Sequence, residues 1–182
     1  MAAICVFCAS SNSVEPRWLE LARTVGVVLA KRGHQVVSGG GRVGMMGTLA
    51  AGARSAGGHT LGVIPQSLVD LEVADHDADE LVVTDGMAAR KIVMIDRADA
   101  FLVLPGGLGT LDELFEVWTT ATLGLHRKPV VLLDEDGFYA PLLDWLDGLV
   151  TTGFVRPTAL AVLKVATSLD DAMALLESLG EA

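Results

Sequence analysis

The chain predicts an α/β fold in which a parallel sheet is covered by helices on both faces. Three observations carry this. Short apolar runs of strand length alternate with longer amphipathic stretches of helical period along the whole chain. The run Ala100–Leu104 is apolar without a break, as a strand buried on both faces must be. Three of the runs end in glycine- or serine-rich turns, at the carboxyl ends where such sheets hold ligands. The expected architecture is a Rossmann-like doubly wound parallel sheet, formed as a single nucleotide-monophosphate-binding domain over residues 1–182.

Ala2–Cys8 reads as the first buried strand, followed by the polar turn Ser10-Ser11-Asn12-Ser13. Pro16 sits where a first-turn helix proline belongs, and Trp18, Leu21, Val25, Val28 and Leu29 recur at helical spacing as far as Lys31. Gly33 closes that helix, and Gln35–Ser38 forms a short second strand. Gly39-Gly40-Gly41-Arg42-Val43-Gly44-Met45-Met46-Gly47 leads into a small-residue helix, Gly44–Ala56. His59–Ile64 is a third strand, stopped by Pro65. Gln66–Asp79 reads as irregular and acidic, with Asp70, Glu72, Asp75, Asp77 and Asp79. Leu81–Thr84 is extended again, and Gly86–Ala98 is helical with Met87, Lys91, Met94 and Ala98 along one stripe. After Ala100–Leu104, Pro105 removes a backbone donor and Gly106-Gly107 permit a sharp turn into a helix reaching Leu123. Pro129–Leu133 is a further strand, Tyr139–Val150 an amphipathic helix, Val162–Val165 a short edge strand, and Leu169–Leu179 the last helix.

Asp and Glu outnumber Lys and Arg by 23 to 13, for a formal charge of −10. Such a surface repels nucleic acid and anionic membranes, so an anionic ligand has to be held by a local positive site. A small phosphorylated molecule fits; a polynucleotide does not. No stretch approaches the roughly 20 apolar residues of a membrane span, and Met1–Ser10 lacks a basic leader, so a cytoplasmic location is the default expectation. Cys5 and Cys8 form a C-x-x-C, but residues three apart on a strand point to opposite faces, which predicts core cysteines. His34, His59, His76 and His126 show no ligand spacing, and Asp75-His76-Asp77 reads as a solvated loop, so no metal site is expected.

Ser10-Ser11, Gly39–Gly47 and Pro105–Thr110 all follow strands, so in a parallel sheet they converge on one edge. Gly39-Gly40-Gly41-Arg42-Val43-Gly44 satisfies G-x-G-x-x-G, yet it follows the second strand. About 20 residues on, where an acid would hold a dinucleotide's ribose, stand Ile64 and Pro65. A mononucleotide or sugar phosphate is the better fit, and tight helix–sheet packing is the bland alternative. No Walker lysine follows any glycine loop. The turn before the Thr110 helix gathers free N–H groups and a helix dipole, which suits phosphate.

Arg90 precedes the central strand and Glu113 follows it, so both can reach one pocket. An arginine fork holds phosphate or ribose oxygens, and a carboxylate near an anomeric carbon can stabilise an oxocarbenium ion, attack it or activate water. Proximity to Arg90 would keep Glu113 ionised. Against this, Thr110 and Glu113 stand at capping-box spacing, and Arg90-Lys91 could be a solvated helix face.

Met87-x-x-Arg90-Lys91 followed by Pro105-Gly106-Gly107-Leu108-Gly109-Thr110-Leu111-Asp112-Glu113 resembles the paired signature of the LONELY GUY (LOG) family, the cytokinin riboside 5′-monophosphate phosphoribohydrolases. The likeness extends to Cys8-Ala9-Ser10-Ser11, to Gly39-Gly40-Gly41 with Gly44-Met45-Met46-Gly47, and to Leu123-Gly124-Leu125-His126-Arg127-Lys128-Pro129. It implies hydrolysis of the N-glycosidic bond of an N6-modified AMP, or of AMP itself, to free base and ribose 5-phosphate without a cofactor. The resemblance implies Arg90 and Glu113 as the catalytic pair, Gly106, Gly107, Gly109 and Thr110 around the phosphate, and Ser11, Gly40, Gly41, Met87 and Lys91 as further substrate contacts. It also implies a homodimer with the pocket near the interface. Ala88 and Ala89 depart from the more polar pair common between the family's Met and Arg-Lys, which bears on contacts to the base or partner chain. Two alternatives follow: a non-catalytic nucleotide or molybdenum-cofactor carrier of the same fold, and a lysine decarboxylase. The latter needs a Schiff-base lysine for pyridoxal phosphate, for which only Lys91 is near the pocket.

Overall fold

The structure is a computed structural model that describes residues 1–71 and 73–178. Seven strands form one sheet: β1 Ala3–Phe7, β2 Gln35–Ser38, β3 Thr60–Pro65, β4 Glu80–Thr84, β5 Ala100–Val103, β6 Val130–Leu133 and β7 Leu163–Ala166. Their order is β4-β3-β2-β1-β5-β6-β7, and every adjacent pair is parallel. The chain winds outward from β1 to β4, then crosses back to lay β5 on the other side of β1. That reversal makes the carboxyl ends of β1 and β5 a switch point, where loops diverge and leave a crevice.

The pleat sorts the core. Ile4, Val6 and Cys8 face one layer, with helices α1 (Pro16–Lys31), α2 (Gly44–Ser55) and α8 (Leu169–Ser178). Cys5 and Phe7 face the other, with α4 (Met87–Arg97), α5 (Leu108–Thr122) and α6 (Ala140–Thr151). The two cysteines are free, buried and on opposite faces, as strand parity requires. Burial pushes both thiols well above the ordinary range. Among the described residues no helix is long and apolar enough to cross a membrane.

Several sequence expectations change. The first is the capping box: α5 begins at Leu108, its N-cap is Gly107, and no side chain caps it. Thr110 and Glu113 therefore lie inside the helix, where Glu113 is free to turn towards α4. The second is the acidic stretch, which contains a one-turn helix, α3 (Gln66–Val69), and two anchored carboxylates. Asp75 is only 5% exposed and receives Arg54 Nη1 at 2.9 Å, so it is a buried ion-pair member and not a solvated loop residue. Asp79 accepts from both the N–H and the hydroxyl of Thr60, which hold its carboxyl below the usual range. A short helix, α7 (Pro157–Leu160), begins on a proline that the sequence reading passed over. Glu72 of the acidic stretch and the proposed last-helix residue Leu179 lie outside the described residues.

Helices α1 and α2 approach closely because Gly26 has no side chain. A Cβ there would run into the Leu49 carbonyl and come within 2.8 Å of the Ala53 nitrogen. Gly26→Ala should therefore destabilise the protein by about 1–3 kcal/mol through overpacking, read as a lower denaturation midpoint in urea at unchanged slope.

Candidate active site

The three turns after β1, β2 and β5 are knitted together by backbone groups. Ala9 N donates to Pro105 O at 3.2 Å, and Met46 N donates to Ala9 O at 3.3 Å. Gly44 N donates to Asn12 Oδ1 at 2.8 Å. Gly44 itself has φ +62°, and a Cβ on it would fall 2.6 Å from Ser11 O, so only glycine lets the second loop seat against the first. Tyr139 braces the β5 turn from below, its hydroxyl donating to Leu104 O at 2.8 Å.

These loops enclose a cleft of about 480 Å³ at the switch point. Arg90 reaches it from the buried face of α4 and is 5% exposed. Its Nε donates to Val63 O at 3.0 Å, and its Nη1 donates to Glu113 Oε1 at 3.1 Å. The guanidinium passes directly over Gly39, where any side chain would overlap Nη2. Glu113 is 7% exposed on the facing side of α5.

The balance at Glu113 decides its chemistry. Desolvation raises its pKa, and Asp112 adds to that; Arg90 and Lys91 pull it down. Desolvation wins, so the carboxyl sits above the ordinary carboxylate range rather than being held down by its arginine. A carboxylate stripped of water is a stronger base and a stronger electrostatic partner than one in solvent.

Of the residues singled out in the sequence, Ser11, Gly41, Met87, Arg90, Gly107, Gly109, Thr110 and Glu113 line the cleft. Gly40, Gly106 and Lys91 do not. Gly40, at φ +71°, lies behind the wall, with its carbonyl accepting from Asp75 N at 2.8 Å. Gly106 packs against the Thr110 side chain. Lys91 points away to α5, 3.0 Å from Asp112 Oδ2 and 2.6 Å from Glu116 Oε2. The sequence reading missed Gly39, whose signal was its place as the first glycine in the run. It also missed the apolar wall of Met46, Ile64, Leu68, Leu71 and Val73, part of which was hidden in the acidic stretch.

Gly107 and Gly109 differ from the other glycines of the turn. A Cβ on either meets nothing within 4 Å, and Gly107 has φ −98°, so the fold itself does not demand glycine there. What their bareness provides is room over the first turn of α5. The N–H groups of that turn have no partner within the helix, and the positive end of the helix dipole lies there.

A family model described as possible lysine decarboxylase matches residues 46–176. A Mycobacterium tuberculosis protein named cytokinin riboside 5′-monophosphate phosphoribohydrolase is 53% identical over 93% of this chain and 90% of its own. An Oryza sativa protein, cytokinin riboside 5′-monophosphate phosphoribohydrolase LOG, is 43% identical over 88% of this chain and 66% of its own. The chain belongs to the LOG family. A molybdenum cofactor binding protein from Rippkaea orientalis has a similar structure, with a TM-score of 0.75 and 24% identity over 98% of this chain and 96% of its own. That likeness shows a shared fold.

The decarboxylase description does not suit this LOG-family site. Pyridoxal phosphate needs a lysine that can lose its proton and form a Schiff base. No lysine lines the cleft among the described residues. Lys91, the nearest in sequence, is clamped by two carboxylates that raise its pKa, and Lys128 Nζ is committed to Ile95 O at 2.6 Å.

Since folding does not require glycine at position 109, Gly109→Val should leave the thermal midpoint within a few degrees of the parent. It should nevertheless weaken binding of a 5′-phosphorylated ligand by about ten-fold or more by filling the anion's space. Thermal denaturation checks the first half of that statement, and calorimetric titration of the intact protein with AMP the second.

Proposed function

We propose that this chain is a phosphoribohydrolase that cleaves the N-glycosidic bond of a nucleoside 5′-monophosphate, AMP or an N6-modified AMP, to free base and ribose 5-phosphate. The observation that carries this is the buried Arg90–Glu113 pair opening onto the same cleft as the bare first turn of α5. The relatives named cytokinin riboside 5′-monophosphate phosphoribohydrolase support the same reading.

In this mechanism the 5′-phosphate seats on the N–H groups at Gly107–Thr110, at the positive end of α5. No lysine is needed for it, which accords with the acidic surface. Phosphate binding far from the reacting bond then holds C1′ against Glu113, so binding energy becomes orientation. As the C1′–N9 bond breaks, positive charge grows on the ribose and the Glu113 carboxylate stabilises it, by contact, by attack or by activating water. Water's oxygen ends on C1′ and its proton on the departing base. Arg90 uses Nε and Nη1 on the protein, which leaves Nη2 for a ribose or phosphate oxygen. The base occupies the apolar side of the cleft, against Met46, Ile64, Leu68 and Val73, where a hydrophobic N6 substituent finds room.

Met87 and Leu108, 49% and 88% exposed at the rim of the cleft, supply apolar surface for a second copy of the chain, and we include a homodimer in the proposal.

Glu113→Gln keeps the shape and removes the charge. It should lower the rate of base release by about 10²–10⁴-fold while AMP still binds; normal turnover by this variant would overturn the proposal. In the parent, kcat/KM should fall on the acid side as Glu113 protonates. Because its folded pKa is raised, that limb should lie at higher pH than an ordinary glutamate would place it. Base release followed by chromatography across pH 4–9 (roughly the span in which carboxylates and histidine titrate) measures both.

A further inference from the structure

Lys91 is adjacent to Arg90 on α4, and Asp112 is adjacent to Glu113 on α5, yet these neighbours make a separate cross-helix contact outside the cleft. Lys91 Nζ lies 3.0 Å from Asp112 Oδ2 and 2.6 Å from Glu116 Oε2. Asp112 and Glu116 are four apart and so share one face of α5, where like charges repel unless a cation stands between them. The Lys91 side chain is 19% exposed, and Glu116 Oε2 is buried with the ammonium as its charge partner. Two struts thus join α4 to α5 side by side: Arg90–Glu113 inside the cleft and Lys91–Asp112–Glu116 behind it.

We infer that Lys91 is a positioning residue, which acts by holding α4 in register with α5 so that Arg90 meets Glu113, and which touches no substrate. The inference rests on the reading that Arg90 and Glu113 do the chemistry. It assigns a role to a residue that the signature motif alone would place among the substrate contacts. The strut also sets the field at Glu113. The charged and titratable groups facing that carboxyl are Arg90 and Lys91 from α4, Asp112 from its own helix, and the neutral thiols of Cys5 from β1 and Cys8 just after it. Lys91 and Asp112 act on Glu113 in opposite senses, the first favouring the carboxylate and the second the acid.

That opposition separates electrostatic positioning from simple loss of stability. Lys91→Met breaks both arms of the strut and Asp112→Asn one of them, so a purely structural role would move their properties in the same direction. Here each variant should lower kcat on AMP by on the order of ten- to a hundred-fold, with the smaller change in KM because the phosphate turn is untouched. Their acid limbs should separate: upward in pH for Lys91→Met, which removes a cation, and downward for Asp112→Asn, which removes an anion. Lys91→Arg should restore kcat. The measurement is base release against pH with the full chain, beside thermal midpoints for each variant. Limbs that shift together, or not at all, overturn the inference. So does Lys91→Met raising KM alone at unchanged kcat, which would make Lys91 a substrate ligand. Glu113→Gln is run in parallel: if it is inactive while the limbs stay fixed, only the role of Lys91 falls; if it is active, the assignment of the chemistry falls first.

Discussion

The removal of one carboxylate from water organises this molecule's active edge. Burying Glu113 is costly, and a charge so placed persists only with a close partner of opposite sign. Arg90 provides that partner, but its own charge must be satisfied too, which it does through the Val63 carbonyl at the end of β3. The pair therefore ties three elements, β3, α4 and α5, to one point beside the β1–β5 switch. Gly39 must be bare for the guanidinium to pass, so the second loop joins the same constraint.

Around that pair the glycines divide by physical cause. Gly40 and Gly44 are required by their left-handed backbone and by the atoms pressed against them, which belong to β3 and to the serine turn. Gly107 and Gly109 are crowded by nothing. Their bareness leaves open space over the first turn of α5. One motif thus contains residues that build the site and residues that leave it open, and the letters alone do not tell them apart.

The ionic contacts divide in a similar way. Arg54–Asp75 secures the segment that carries Val73 towards the cleft, while Lys91 with Asp112 and Glu116 backs the inner pair from outside. Ion pairs of this kind contribute modestly to stability when partly exposed, so their value lies in register between elements that must meet within hydrogen-bond distance.

Much of this was legible in the sequence. Apolar runs alternating with helical periods specify a parallel α/β sheet because both patterns report local burial, and strand parity placed Cys5 and Cys8 on opposite faces without any coordinates. The three turns and the Arg90–Glu113 candidates followed from the same order of elements. Tertiary structure alone decided which way each side chain turned. Thr110 and Glu113 matched a capping box by spacing, but the helix begins earlier and Glu113 looks across to Arg90. Lys91, next to Arg90 in sequence, points about a third of a turn away and meets α5 instead of the cleft. Asp75 reads as solvated until Arg54, distant in the chain, folds against it. The net upward shift at Glu113 likewise depends on how much water the assembled loops exclude. Periodicity is written residue by residue, whereas solvation and partnership arise only once separate elements are packed together.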